Sequence, residues 1–189
     1  MRRGLLALTL AVLTASPAWA DRWTSDYQRS GMQFQGDSNS GPVRGDFGKH
    51  KVSMRIEAEE LEDAYLKANI QTSSMRTLQP ANDLAFTSAT LLYTQMFPYV
   101  IFESNDIVRL NDGRYEARGT VNLGSATGNA RLRFTLEEAP GKKNTARLNG
   151  IAKLDSLKFG EDNQPLIGDS MVGSTVRLAV DLYSQAAAR

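Results

Sequence analysis

Apolar and polar side chains alternate along most of the chain with a period of two residues, which is typical of β-strands that bury one face. The clearest case is the last predicted strand, Ser174–Tyr183, in which Val176, Leu178, Val180 and Leu182 would face inward. We predict about eight strands in all. The other seven are Ser30–Gln35, Val43–Phe47, Val52–Ile56, Ala64–Ile70, Arg114–Leu123, Ala130–Glu138 and Thr145–Leu154, and Tyr99–Phe102 is a further candidate. Between the strands we predict a polar lead-in at Asp21–Tyr27, an acidic turn at Glu57–Asp63 and a hairpin turn at Asn111–Gly113.

One apolar segment, Pro80–Phe102, interrupts this rhythm. Its start carries the residues of a helix N-terminus, because Pro80 suits a first turn and Asn82 or Asp83 suits a cap. Its end is rich in β-branched and aromatic residues, which favour a strand. The change falls at Phe97–Pro98, since proline restricts its predecessor to extended geometry. We therefore predict a short helix that covers or plugs a container built by the strands.

The predicted fold class is all-β. No alternation of strands with helices, no internal repeat and no linker are visible, so one antiparallel sheet either closes into a barrel or stacks into a sandwich. Closure is favoured because a barrel has no exposed edges, and eight strands enclose room for one small ligand. A sandwich with a solid core would have the same periodicity, so alternation does not establish that the interior is hollow.

The N-terminus has the pattern of a secretory signal peptide. Arg2 and Arg3 form a basic region, Leu5–Ala15 is apolar, and Ala18–Ala20 has the small residues of a cleavage site. The apolar run is too short to cross a bilayer. We predict cleavage after residue 20 and export to the periplasm, with residues 21–189 forming one domain.

Composition narrows the function classes further. Lys and Arg number 22 and Asp and Glu 21, so overall charge gives no indication of a nucleic-acid partner. No stable membrane span is predicted. The chain has no cysteine, so the exported fold does not rely on disulfides.

No catalytic or metal-binding constellation is visible. The one histidine, His50, lies between two lysines, and we predict a solvated surface side chain. It is too isolated for a transition-metal site or a catalytic triad. Adjacent carboxylates occur at Glu59–Glu60, Glu62–Asp63 and Glu137–Glu138, where we expect solvated faces. We therefore predict a binding protein that is not an enzyme and carries no cofactor or metal.

Several stretches resemble the YceI-like, polyisoprenoid-binding periplasmic proteins. In order along the chain they are Trp23, Ser30 and Phe34, Val43–Phe47, Asp83–Leu84, Met96–Ser104, Gly113–Gly119, Phe159–Gly160, Val172–Gly173 and the last strand. Each stretch is short, but their order and spacing agree over nearly all of residues 21–189.

The resemblance implies an extended, lipocalin-like antiparallel barrel of eight strands whose apolar bore holds a long isoprenoid lipid. The ligand would be a prenyl pyrophosphate or a prenylated quinone, and a homodimer is left open. The candidate bore residues face inward or come from the cap. They are Met32, Phe34, Met54, Ile56, Leu66, Phe86, Leu91, Phe97, Val100, Phe102, Val121, Leu132, Phe134, Val176 and Leu178.

Two alternatives stay open beside this carrier. The same fold with a filled core would suit an interaction module of the cell envelope. An enzyme acting on a lipid would need carboxylates or hydroxyls that the sequence does not place.

Overall fold

The computed structural model describes residues 23–26, 28–38, 41–57, 60–77, 83, 96–123, 126–138, 145–154, 158–159, 164–165 and 176–186. The predicted signal peptide lies outside these residues. So does the predicted capping helix, of which only Asp83 is described.

The described residues form thirteen β-strands and one 3-10 turn, Thr72–Ser74. The strands are β1 (Trp23–Ser25), β2 (Gly31–Ser38), β3 (Gly41–Phe47), β4 (His50–Glu57), β5 (Glu60–Gln71), β6 (Met75–Thr77), β7 (Tyr99–Arg109), β8 (Tyr115–Leu123), β9 (Ala126–Glu138), β10 (Thr145–Leu154), β11 (Lys158–Phe159), β12 (Gln164–Pro165) and β13 (Val176–Ala186).

Eight of these strands close into a ring in which every pair is antiparallel. β4 pairs with β5, β5 with β7, and the pairing continues through β8, β9 and β10 to β13. β13 then pairs with β1, and β1 pairs with β4. The protein is therefore a closed eight-stranded antiparallel barrel, and the sandwich alternative is excluded.

Three further strands extend the wall at one end. β2 pairs with β13 beside β1, β3 pairs with β2, and β6 pairs with β3. Three positions in the barrel wall are therefore each occupied by two consecutive strands. These pairs are β1 with β2, β3 with β4, and β5 with β6. Neighbouring wall positions are consecutive in sequence, which gives a simple up-and-down meander.

Alternation places the apolar face of each strand inside the barrel. In β4, Val52, Met54 and Ile56 are buried, and in β13, Val180 and Leu182 are buried. The predicted turn at Asn111–Gly113 is confirmed. It joins β7 to β8, with Gly113 at φ 83° and the Arg114 amide donating to the Asp112 carboxylate at 3.1 Å.

Two local predictions are wrong. We expected a polar lead-in at Asp21–Tyr27, but Trp23 begins β1 and is only 3% exposed. We expected an acidic turn over Glu57–Asp63, but its extent is wrong, because Glu57 ends β4 and pairs with Glu60, and Glu60–Asp63 begin β5. β4 and β5 stay paired beyond the core, where the side chains of Glu60, Glu62 and Asp63 are exposed to water. The apolar alternation is therefore lost in that part of the sequence.

No helix among the described residues is long and apolar enough to cross a membrane.

Candidate functional site

One half of the barrel interior is solidly packed. Trp23, Met54, Tyr115 and Phe134 are all buried there. The rings of Tyr115 and Phe134 stack with their centroids 5.5 Å apart. This half lies at the end of the barrel where the tight turn at Asn111–Gly113 joins β7 to β8, and we call it the closed end.

The other half encloses a cavity of about 120 Å³. Val52, Ala68, Phe102 and Val121 are direct cross-strand partners on its wall, from β4 round to β8. All of the described side chains that line the cavity are apolar. Apolar walls without polar groups keep water out and offer dispersion contacts to a hydrocarbon.

Seven of the predicted bore residues line this cavity, namely Met32, Leu66, Val100, Phe102, Val121, Leu132 and Leu178. Met54, Ile56 and Phe134 also face inward, but they belong to the packed closed end. Phe34 is half-buried, and its ring lies 5.2 Å from that of Phe47. Phe97 packs against the core without lining the cavity.

The remaining predicted residues cannot be placed on the wall. Phe86 and Leu91 lie outside the described residues, and of Val176 only the backbone is described.

The sequence reasoning missed nine lining residues, namely Phe47, Val52, Ala68, Ile70, Ala130, Ala152, Leu154, Val180 and Leu182. Four of them stand two residues from one that was chosen, namely Val52, Ala68, Ala130 and Val180, so the same alternation would have found these four. The alanines were passed over because they are small. They matter for that reason, since Ala68, Ala130 and Ala152 leave the space that a larger side chain would fill.

The cavity lies at the end of the barrel opposite the closed end. β6 ends at Thr77 and β7 begins at Tyr99, next to the lining residue Val100. β10 ends at Leu154, another lining residue, and β13 begins at Val176. We call this end the cavity end.

His50 is not the solvated surface side chain that we predicted. It is 6% exposed and shares a cross-strand row with Ile70 and Val100, two residues of the cavity wall. Its Nδ1 donates to the carbonyl oxygen of Phe47 at 3.3 Å, and its Nε2 is buried with no hydrogen-bond partner in the described part of the chain. Burial lowers the pKa of the imidazole below its usual value of 6.5, which favours the neutral ring.

Acidic groups offer little for catalysis or metal binding. The described members of the adjacent carboxylate pairs, Glu60, Glu62, Asp63, Glu137 and Glu138, are exposed as expected. Among the described residues, no three His, Cys, Asp or Glu side chains come together as metal ligands.

Unlike these exposed carboxylates, Glu116 is buried, with 3% of its surface exposed. It lies on the outer face, where Arg133 and Arg118 donate to its two oxygens at 2.6 and 2.8 Å. These bonds hold the pKa of the Glu116 carboxyl below its usual range. A carboxylate locked between two arginines serves structure and is poorly suited to general acid–base work.

Comparison with known proteins agrees with this architecture. A family model described as the YceI-like domain matches residues 23–183. No curated protein matches the chain significantly.

Solved structures show the same fold. BcnA of Burkholderia cenocepacia has a TM-score of 0.68 and 14% identity, covering 84% of this chain and 98% of that one. The YCEI protein of Campylobacter jejuni has a TM-score of 0.58 and 13% identity, covering 76% and 85%. A polyisoprenoid binding domain from Saccharophagus degradans, implicated in plant cell wall breakdown, has a TM-score of 0.59 and 12% identity, covering 87% and 98%. Identities this low show a shared fold alone.

Proposed function

Because the chain belongs to the family of YceI-like domains, we propose that it binds the hydrocarbon tail of an isoprenoid lipid inside its barrel. One solved protein of the same fold is described as a polyisoprenoid binding domain. The observation that carries the proposal is the apolar cavity at the cavity end of this chain.

The cavity alone is too small for a long tail. Its volume of about 120 Å³ is close to that of an engineered cavity that admits one benzene, roughly 150 Å³. One five-carbon isoprene unit would fill it, and its burial would contribute about 3–4 kcal/mol at roughly 0.8 kcal/mol per methylene. Association costs about 4–15 kcal/mol, so several units must be buried for useful affinity.

A longer tail needs more room than the cavity has. Met32 has a flexible, unbranched side chain that repacks readily. We place the tail along the barrel axis, with one unit in the cavity and the remaining units extending from the cavity end of the barrel.

His50 is suited to meet a polar group of the ligand. Its row adjoins the cavity wall, and its neutral ring leaves Nε2 as an acceptor that nothing in the described chain occupies. A hydroxyl group or a protonated phosphate of the ligand would satisfy this atom. Such a group is present both in the reduced form of a prenylated quinone and in a protonated prenyl pyrophosphate.

The proposed role is that of a periplasmic carrier without enzymatic activity. The signal-peptide pattern of residues 1–20 supports export. The isolation of the potential catalytic groups described above supports binding without turnover. A carrier for a water-insoluble tail needs only an apolar cavity and a route of exchange.

The experiment that tests the proposal is organic extraction of the protein made in its native compartment, followed by mass spectrometry. We expect a prenyl lipid in near-stoichiometric amount. Consistent absence of any prenyl lipid would exclude the carrier role.

A cavity-filling variant connects the lipid to the cavity. Ala152→Leu adds three carbons to a half-buried wall residue, and we expect loss of the extracted lipid with unchanged or slightly raised stability. The matched control is Ala179→Leu on the exposed outer face of β13, which should keep the lipid. Equal lipid content in both variants would show that the lipid binds elsewhere.

The small size of the cavity supports a second candidate, an envelope interaction module with an essentially filled core. Under this alternative Ala152→Leu fills a packing defect and nothing else changes. The lipid content of the unmodified protein separates the two.

A further inference from the structure

The outer face of the barrel carries a cross-strand row of five basic side chains and one glutamine on six neighbouring strands. Arg118 of β8 pairs with Arg131 of β9, and Arg131 pairs with Lys153 of β10. Lys153 pairs with Arg177 of β13, which is joined through Gln35 of β2 to Arg44 of β3. We call the five cations the basic row: Arg118, Arg131, Lys153, Arg177 and Arg44.

All five side chains are exposed. Neighbouring strands lie about 4.8 Å apart, so five steps from β8 to β3 cover roughly 24 Å. Alternation directs these residues away from the core, because their neighbours Leu132 and Leu178 line the cavity inside the barrel. The basic row is therefore a band of positive charge on the surface.

Among the described residues, carboxylates offset this band only in part, and Asp46 lies two residues from Arg44 on the same face. Arg118 shares the single carboxylate of Glu116 with Arg133, and its other carboxylate partner, Asp106, is 3.8 Å away. No described carboxylate forms an ion pair with Arg131, Arg177 or Arg44. The row keeps a net positive charge although the whole chain is close to neutral.

The arrangement works against folding. Like charges directly opposite each other on paired strands destabilise a sheet, and here Arg118–Arg131, Arg131–Lys153 and Lys153–Arg177 are three such pairs in succession. The fold would form as well with neutral polar residues at these positions. A ligand that brings negative charge would remove the repulsion.

An exposed apolar residue adjoins the row. Ile151 is 60% exposed, although it lies in the middle of β10. It pairs with Arg133 on one side and with Ala179 on the other. A surface groove of about 460 Å³ brings Ile151 together with Arg131, Arg133 and Lys153.

We propose that the basic row docks the barrel on an anionic lipid surface. Phosphate head groups would meet the guanidinium and ammonium groups, and Ile151 would enter the boundary between head groups and acyl chains. Basic side chains combined with an apolar residue are the usual composition of such interfaces. A nucleic acid would use the charge but leave the isoleucine without a partner.

The test is sedimentation of the purified protein with vesicles. Vesicles of phosphatidylcholine mixed with an equal amount of phosphatidylglycerol should bind the protein at low salt, and vesicles of phosphatidylcholine alone should not. High salt should release it. Each basic residue near an anionic surface changes partitioning about five-fold, so Arg131→Gln with Arg177→Gln should weaken binding about 25-fold.

The matched control is Lys49→Gln with Lys51→Gln, which removes the same charge at the start of β4. These lysines lie across the ring from β9 and β10, and they are five and seven residues beyond Arg44 along the wall position that β3 and β4 share. This control should bind as the unmodified protein does. Equal loss in both double variants would overturn the proposal, because it would show dependence on total charge alone. Binding to a sulfated polymer but to no vesicle would overturn it too, and would assign the row to a soluble polyanion.

Two further measurements keep the test independent of folding and of the internal lipid. Removing like charges should leave the melting temperature of the Arg131→Gln, Arg177→Gln variant unchanged or higher. Ala152→Leu should keep vesicle binding even where it loses the extracted lipid. Loss of vesicle binding in Ala152→Leu would overturn docking through the basic row.

Discussion

The buried imidazole of His50 makes the stability of the barrel depend on pH. Its pKa in the folded protein is below 6.5, its ordinary value, because burial penalises the charged ring. The unfolded chain therefore binds more protons than the folded one when the pH falls below about 6.5. The free energy of unfolding should consequently fall as the pH drops through this range, and should be fully restored above it.

This dependence predicts the behaviour of one variant. His50→Asn removes the titrating group and keeps a side-chain donor for the carbonyl oxygen of Phe47. We expect a flatter stability profile between about pH 5 and 6.5 than in the unmodified protein. Urea unfolding at a series of pH values measures it, and identical slopes in the two proteins would contradict burial of a neutral histidine.

The same residue shows which sequence signal prevails. The flanking lysines Lys49 and Lys51 suggested a surface histidine, whereas the alternation of Val52, Met54 and Ile56, continued backwards by two residues, places position 50 inside. The structure follows the alternation, because a strand that enters a sheet fixes the direction of every side chain along it. Charged neighbours in sequence merely point to the opposite face.

Within single elements, close approach of strands decides where glycine is required. A Cβ at Gly119 of β8 would collide with the carbonyl oxygen of Glu103 and come within 2.7 Å of the Phe102 ring. This contact lies beside the irregularity in the pairing of β7 with β8, between Glu103 and Asp106. The Phe102 ring therefore packs over the backbone of Gly119, which has no side chain, next to this irregularity in the strand pairing.

The second prediction follows from this contact. Gly119→Ala should destabilise the barrel by about 1–3 kcal/mol, since the collision involves backbone that cannot yield easily. Gly31→Ala in β2 is the matched control, because a Cβ added at Gly31 would meet nothing within 4 Å, and it should be neutral or slightly stabilising. Chemical unfolding compares the two. Equal losses of stability in the two variants would contradict the steric explanation for Gly119.

Elements with strong alternation could be predicted, and those without it could not. Ser174–Tyr183 was predicted as a strand, and Val176–Ala186 is one in the structure. Trp23 was missed because β1 has only three residues, too few for a period to show. Met75–Thr77 was missed for the same reason, since β6 is defined by its partner β3 and not by its own pattern.

Across the whole molecule, the strand register creates features that no single stretch of sequence contains. Arg118 and Arg177 are 59 positions apart in sequence, yet they belong to one row because four strands align. The apolar cavity likewise depends on three strands, because alanines of β5, β9 and β10 line it together. Periodicity fixes which face a residue takes, but pairing fixes its neighbours, and pairing is a property of the tertiary fold.

The division of the barrel into a packed closed end and a cavity end leads to the last prediction. Phe134 is 1% exposed in the closed end, and Phe102 is 8% exposed on the cavity wall. Changing either to leucine should lower the stability of the lipid-free protein by roughly 1–2 kcal/mol. Bound lipid adds a further increment, because a ligand stabilises the state that binds it.

The two variants should differ in that increment. Phe134→Leu should keep the full difference in melting temperature between loaded and lipid-free protein, since its side chain does not line the cavity. Phe102→Leu should change the difference, because it alters the wall that the lipid contacts. Thermal unfolding of all four samples gives the comparison. A change of equal size in both variants would show that the lipid occupies the entire interior, and the closed end would then have to open for binding.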